Sequence, residues 1–437
     1  MTRLVHSFGV FSFGVFLLAI GAMGCALSSA QLAAKDGDRA TLREVIARRE
    51  RAGTLSDGDA AGLAQVVADR DLRTAAPVDA LARIRDMRPC ARELDAALAF
   101  RMRKHDAAGA DAALARLEAR GIDVDALRPF LADADSAWHA AGVRALVRPE
   151  DRDARSRALR DPDPRVRRQA VRSFSGIRRA DDSTSLLEVA RVDPEPMVRT
   201  DAVRILADSL PPDGEHVVLA LRDLWELADD GLREDIALAW GKSALWAEGG
   251  REALTRVVES QDGPGAIEAA AALMRHRGLD AAIAHIASAY IAQAIASGSK
   301  VARIQAIVGA PLDRPEIEAA VRDAARTDEL EVRVAALARL AEADDKAAQL
   351  NLEALARAGS TVARHARFAL ASAGDRRVQA WIEGDLDRPD AGDRLAAGVA
   401  LAVLGVPGRA APLLADADPA VRSRAACAIL MAERHHR

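Results

Sequence analysis

The sequence predicts an all-α protein, an α-solenoid of about ten helix pairs behind an atypical helical N-terminal cap. Three observations carry that expectation. The apolar half of the chain is dominated by Ala, Leu and Val, with only 3% aromatic residues and a single tyrosine, Tyr290, a composition suited to helices packed at short distance. No segment alternates apolar and polar residues as a half-buried strand does. A short motif also returns at a nearly constant step through most of the chain, which is how repeat proteins announce themselves.

In chain order, residues 1–24 come first. A lone positive charge, Arg3, precedes a largely apolar run from Phe8 to Met23 that ends at Gly24. A positive start, an apolar core and a small-residue exit form a bacterial export signal, and the run falls short of the roughly 20 apolar residues a membrane span needs. The box Ala22-Met23-Gly24-Cys25 resembles the cleavage box of bacterial lipoproteins, although Ala22 stands where such boxes usually carry Leu. The resemblance implies that the Cys25 thiol receives a diacylglycerol and becomes the new N-terminus. Two acyl chains give stable anchoring. Ala26 resembles the outer-membrane sorting choice. The expected address is therefore the outer membrane, facing the periplasm. Cleavage after Ser28-Ser29-Ala30 would instead release a soluble periplasmic protein.

Residues 25–37 are expected to form a tether and residues 38–124 the cap. Within the cap, Asp38 to Arg51, Asp57 to Arg70, Pro77 to Met87, Ala91 to His105 and Ala107 to Arg120 each carry an amphipathic helical pattern divided by Gly and Pro. A solenoid needs an atypical end over its first apolar layer, and this region is expected to be that end.

The repeats occupy residues 125–437. Four segments show the unit most clearly: those starting at Asp163, Glu195, Glu329 and Asp418. Each begins with an acidic residue, often followed by Pro. An apolar anchor and Arg follow, then a small residue four positions after the anchor and a large apolar residue at plus eight. Anchors fall at Trp138, Val166, Val198, Leu232, Ile267, Val301, Val332, Val362, Asp393 and Val421; Ile267, Val301 and Asp393 are degenerate. The acidic residue is expected to cap the second helix of each pair. Pro takes the first helical position, where no N–H is needed. Anchor, plus four and plus eight then share one helical face. Ile236 and Gln305 depart from the small plus-four residue.

The Asp-Pro-x-Val-Arg pattern resembles HEAT repeats, and its step resembles the short type also found in phycobilisome lyases. The resemblance implies a HEAT-like superhelix in which the arginine after the anchor (Arg167, Arg199, Arg233, Arg333, Arg422) forms a structural ladder with acidic residues of adjacent units. It says little about function, because repeat folds serve many tasks.

Chemistry is sparse. The chain contains no His-Glu dipeptide, which the iron-binding hydroxylases among HEAT-like proteins require. It contains no Cys-x-x-Cys pair, His-Glu-x-x-His helix, Gly-x-Ser-x-Gly elbow or phosphate loop either. No catalytic residue, metal site or cofactor is expected. Cys90 and Cys427 lie 337 positions apart, too far for a bridge in a linear stack, and are expected to be small buried apolar residues. Nucleic-acid binding through the arginines, 56 of the 61 basic residues, is opposed by the net charge of −4 and by the export signal. Trp225, Trp240 and Trp246 cluster in one unit; Trp240 belongs to the core, whereas Trp225 and Trp246 are candidates for partner contact, because tryptophan is enriched at interface hot spots. The expected function is a non-catalytic envelope scaffold or adaptor that holds a protein or peptide partner. An enzyme or cofactor-handling protein using the concave face, lyase-like by analogy of fold alone, is the alternative.

Overall fold

A computed structural model describes residues 29–121, 123–174, 179–208, 213–260, 263–358 and 361–436. Helices supply all regular structure among them, and the fold is an all-α solenoid. Export segment and Cys25 lie outside the described residues. The chain divides into two compact units, residues 104–373 and a discontinuous unit joining residues up to 103 with 374–437.

In the 104–373 unit, successive second helices run Ala107–Arg120, Ser136–Val143, Pro164–Arg172, Pro196–Asp208, Asp230–Trp240, Pro264–Arg275, Lys300–Val308, Leu330–Glu342 and Thr361–Ser372. Their starts are fixed locally. Asp135, Asp163 and Asp229 accept hydrogen bonds from backbone N–H groups of the helices they cap, and Pro164 and Pro196 occupy first helical positions. One face of each helix is then buried at anchor, plus four and plus eight: Val166, Ala170 and Phe174; Val198, Ala202 and Leu206; Val332, Ala336 and Leu340. Each large residue so covered contributes about 1.5–3 kcal/mol, and the covering surface comes from neighbouring helices. The small plus-four residue sets how closely they approach. A Cβ added to Gly142 would meet the backbone of Phe130 and Leu131 at 2.5 Å.

Two degenerate anchors are out of register by one residue. The anchor follows its cap by three positions, and the caps are Ser299, which accepts from the Ala302 N–H, and Gly263. The true anchors are therefore Ala302 and Ala266. Val301 is 68% exposed, whereas Ala306 and Ala270 take the plus-four position and are buried. Gln305 is thus no exception to the small-residue rule. A further unit was missed. The Ala107–Arg120 helix, assigned to the cap, is capped by Asp106 and buries Gly109 and Ala113 at anchor and plus four.

The arginine ladder forms at several units. Arg167 grips Asp193 through two bonds of 2.8 and 2.9 Å and also donates to the Asp161 and Pro162 carbonyls. Arg199 reaches Asp229 at 2.9 Å. Two residues not expected in the ladder join it: Arg303 pairs with Glu329 at 2.9 Å, and Arg394 pairs with Asp416 at 2.7 and 3.0 Å. Arg233 and Arg333 do not follow the pattern. Arg233 donates to the Trp225 carbonyl, and the buried Nε of Arg333 has no hydrogen-bond partner among the described residues.

The discontinuous unit joins the N-terminal helices to the last repeats. Residues 29–36 are helical, with Ala30, Ala33 and Ala34 buried; the described part of the expected tether is therefore packed structure. Helices Arg39–Arg51, Asp57–Thr74, Pro77–Asp86 and Asp95–Met102 follow. The Asp57–Thr74 helix packs on the last repeat helix, Pro419–His436, so these cap residues cover the final repeat. Arg422, the last rung, finds no following repeat and pairs with buried Asp71 at 2.9–3.0 Å. Arg424 and Asp86 add an ion pair at 2.8 Å. Gly408 donates its N–H to Asp57 at 2.8 Å.

That meeting overturns the expectation for the cysteines. Cys90 and Cys427 form a buried disulfide with their Cα atoms 5.5 Å apart, well within bridging range. Sequence separation misled because it measures spatial distance only when the ends of a stack stay apart.

Candidate binding face

Each helical residue turns by about 100°, so the positions opposite anchor and plus four are minus one, plus two and plus six. In the 104–373 unit these positions line up from one second helix to the next. Arg168 and Arg172, at plus two and plus six of one helix, both donate to Asp201 on the next, at 2.6 and 2.8 Å. Arg204 at plus six donates to Asp235 at 3.0 Å. Arg172 also reaches back to Glu118 at 3.0 Å. The Gln305 amide donates to Glu234 at 3.1 Å across the intervening repeat. These bonds define one continuous face built by consecutive repeats.

The face changes character along its length. Toward its N-terminal end the plus-six residues are Arg144, Arg172 and Arg204; farther on they include Leu238, Val308 and Phe368, all exposed. Met197 and Val301, at minus one, add exposed apolar surface. A cleft of about 560 Å³ opens between the Pro264–Arg275 and Lys300–Val308 helices, lined by Glu268, Ala271, Met274, Gln305, Val308 and Pro311. An ion pair joins Glu268 to Arg275 at 2.7 Å on its wall; the remaining wall is mainly apolar.

Burial tunes the charges on this face. Desolvation raises the Glu234 carboxyl above the usual range. The Gln305 bond opposes that rise, while Glu268, Asp235 and Asp230 add to it. Burial also works against ionised Asp201, but the Arg168 and Arg172 guanidiniums outweigh it and hold the carboxyl low. Arg144 is depressed by desolvation and by neighbouring Arg172, against the attraction of Glu118.

The two candidate tryptophans separate. Trp225 is only 2% exposed and stacks on Trp240 at 5.5 Å, with Arg233 over its ring at 5.9 Å. It is a core residue and cannot meet a partner. Trp246 is half-buried and stacks on His276 at 3.5 Å, while His276 bonds the Gly241 carbonyl at 2.8 Å. The helical break beside it turns at Gly249, whose φ of 107° suits glycine.

The discontinuous unit has its own cleft, of about 710 Å³, lined by Ile46, Glu50, Glu383, Leu386, Arg409 and Leu413 among others. Desolvation raises the Glu50 carboxyl; Arg409 opposes the rise and Glu383 adds to it. Arg409 pairs with Glu383 at 2.9 Å. Among the described residues no group of three or more His, Cys, Asp or Glu side chains converges as metal ligands would.

No family model matches this chain, and no curated protein does. Similar solved structures include an engineered protein at 18% identity, covering 74% of this chain and 98% of its own, with a TM-score of 0.29. A second engineered protein, at 21% identity, covers 64% of this chain and 96% of its own, with a TM-score of 0.18. A third structure, described as showing that Kap95p binding induces the switch loops of RanGDP to adopt the GTP-bound conformation, is 14% identical. It covers 84% of this chain and 53% of its own at a TM-score of 0.25. At these scores the likeness adds no weight, and the fold rests on the repeating helix pairs themselves.

Sequence reasoning missed the face because it followed the buried period. The signal was present at plus six, where arginine in three successive units gives way to Leu238, Val308 and Phe368. Seeing it required the corrected register at Ala302.

Proposed function

We propose that this protein is a non-catalytic scaffold or adaptor of the bacterial cell envelope, and that the second-helix face of its 104–373 unit binds a segment of a protein partner. The observation that carries this reading is the exposure of the apolar plus-six residues Leu238, Val308 and Phe368, with Val308 lining the 560 Å³ cleft. Apolar side chains aligned by the repeat period offer anchoring points to an extended chain. The motif pattern and the arginine ladder support a HEAT-like solenoid as the vehicle. The lipoprotein-like box at Cys25 supports a lipid anchor, and the buried Cys90–Cys427 bridge supports an oxidising compartment such as the periplasm.

The test is site-specific photo-cross-linking in intact cells. A benzoyl-phenylalanine placed at Val308 or Phe368 should give the same discrete adduct, and one at Leu350, exposed on a first helix, should not. Equal labelling from all three positions would refute a dedicated face. Mass analysis of the mature N-terminus tests lipidation; an unmodified chain beginning near Gln31 would replace the anchored form with a soluble one.

A further inference from the structure

Resting on the binding-face reading, a second feature names the chemistry of the partner. Arg144, Arg172 and Arg204 repeat at plus six in three consecutive units. Arg172 and Arg204 are committed to carboxylates of the protein: Arg172 to Asp201 and Glu118, Arg204 to Asp235. Arg144 is different. Its guanidinium makes no hydrogen bond or ion pair among the described residues. It is half-buried, and Arg172 is its like-charged neighbour. Glu118 attracts it without bonding it; a partly desolvated cation with no bonded counter-ion is costly, and an anion supplied from outside would reduce the cost. Arg168 adds a fourth guanidinium, bound to Asp201 through Nε at 2.6 Å. Of these four guanidiniums, three bond Glu118, Asp201 or Asp235, and Arg144 alone bonds none of them.

We propose that the Arg144–Arg172–Arg204 stripe holds an acidic, extended stretch of the protein partner, with a carboxylate near every third residue. The spacing follows from the repeat. Neighbouring helices pack about 8–10 Å apart, and a partner in the extended polyproline-II conformation rises about 3.1 Å per residue with three residues per turn, so every third side chain points the same way about one helix spacing on. A partner carboxylate bonds Arg144 directly and competes with Glu118 for Arg172. The apolar side chains for Leu238 and the cleft lie farther along the same segment.

The test uses the full mature chain and synthetic peptides at low salt, read by fluorescence anisotropy. One peptide carries Glu at every third position, and a second has the same composition with its Glu residues contiguous. The spaced peptide should bind at least fivefold more tightly. Arg144→Gln should weaken it at least tenfold, and Arg144→Lys should lose less. Glu118→Gln should strengthen it severalfold, because the competing carboxylate is gone; a purely structural role for this cluster would not produce that gain. Circular dichroism melts confirm that the variants are folded, and Glu118→Gln keeps the test decisive if Arg144→Gln is not. Equal binding of the two peptides, or insensitivity to both Arg144→Gln and Glu118→Gln, overturns the proposal. Inorganic phosphate binding as tightly as the spaced peptide also overturns it. Position-specific cross-linking from Val308 with no preference for the spaced peptide would overturn the acidic stretch and leave the binding face standing; loss of both would end both readings.

Discussion

Replacing Cys90 and Cys427 together by alanine should loosen the discontinuous unit in particular. The bridge ties the N-terminal helices to the last repeat across 337 positions of sequence. In the chain-entropy view a cross-link stabilises by restricting the unfolded ensemble, and the benefit grows with the logarithm of the loop. For a loop of this length the relation gives about 6 kcal/mol, but measured values rarely exceed about 5 kcal/mol. The same contact is also held by the Arg422–Asp71 pair and by the Asp57–Thr74 helix against Pro419–His436, so native packing survives. A loss of about 3–5 kcal/mol is expected for this unit. Non-reducing mass spectrometry should first find the wild-type chain two hydrogens lighter than its reduced form. Guanidinium unfolding, with hydrogen exchange to assign the transition, should then show amides of residues 57–86 and 419–436 exchanging earlier in the double variant, while residues 164–206 keep their protection. Two free thiols in protein isolated from an oxidising compartment, or unfolding that is unchanged in the double variant, would refute the reasoning.

Four further outcomes follow from the same structure. Asp71→Asn leaves Arg422 buried without its counter-charge and should cost about 3–5 kcal/mol, measured by denaturant unfolding; Asp86→Asn, whose partner Arg424 is half exposed, should cost under about 1 kcal/mol. Trp225→Ala should destabilise by about 3–5 kcal/mol in the same assay, more than Trp246→Ala. Val301→Asp should leave the melting temperature nearly unchanged, whereas Ala306→Asp, at the true plus-four position, should unfold its repeat; the reverse order would restore the original register. The Glu50 carboxyl is raised in the folded state, so the native state takes up its proton first. Its contribution is greatest below the ordinary glutamate value of about 4.3 and declines as pH rises through the folded value. Glu50→Gln should therefore flatten that decline in melting curves taken between acid and neutral pH.

Most of the solenoid was legible because a repeat is a local code. The caps at Asp163 and Asp229, the prolines at first helical positions and the buried anchor faces depend on neighbours a few residues away, and a linear reading reaches them. Ladder pairs such as Arg167–Asp193 were implied by the resemblance to HEAT repeats, and the structure supplied the partner one repeat ahead. Register faltered at Ala266 and Ala302, where anchor and ladder residues are weak and only the cap position fixes the helix. Three matters waited for the tertiary structure: that the Asp57–Thr74 helix meets the last repeat helix, that Asp71 completes the last rung, and that Cys90 lies against Cys427. Each joins residues more than 300 positions apart, and no periodicity encodes such a contact. The binding face belongs between these cases. Its residues return with the repeat and are written in the sequence, but only packing decides which period is covered by the neighbouring helix and which remains open to solvent.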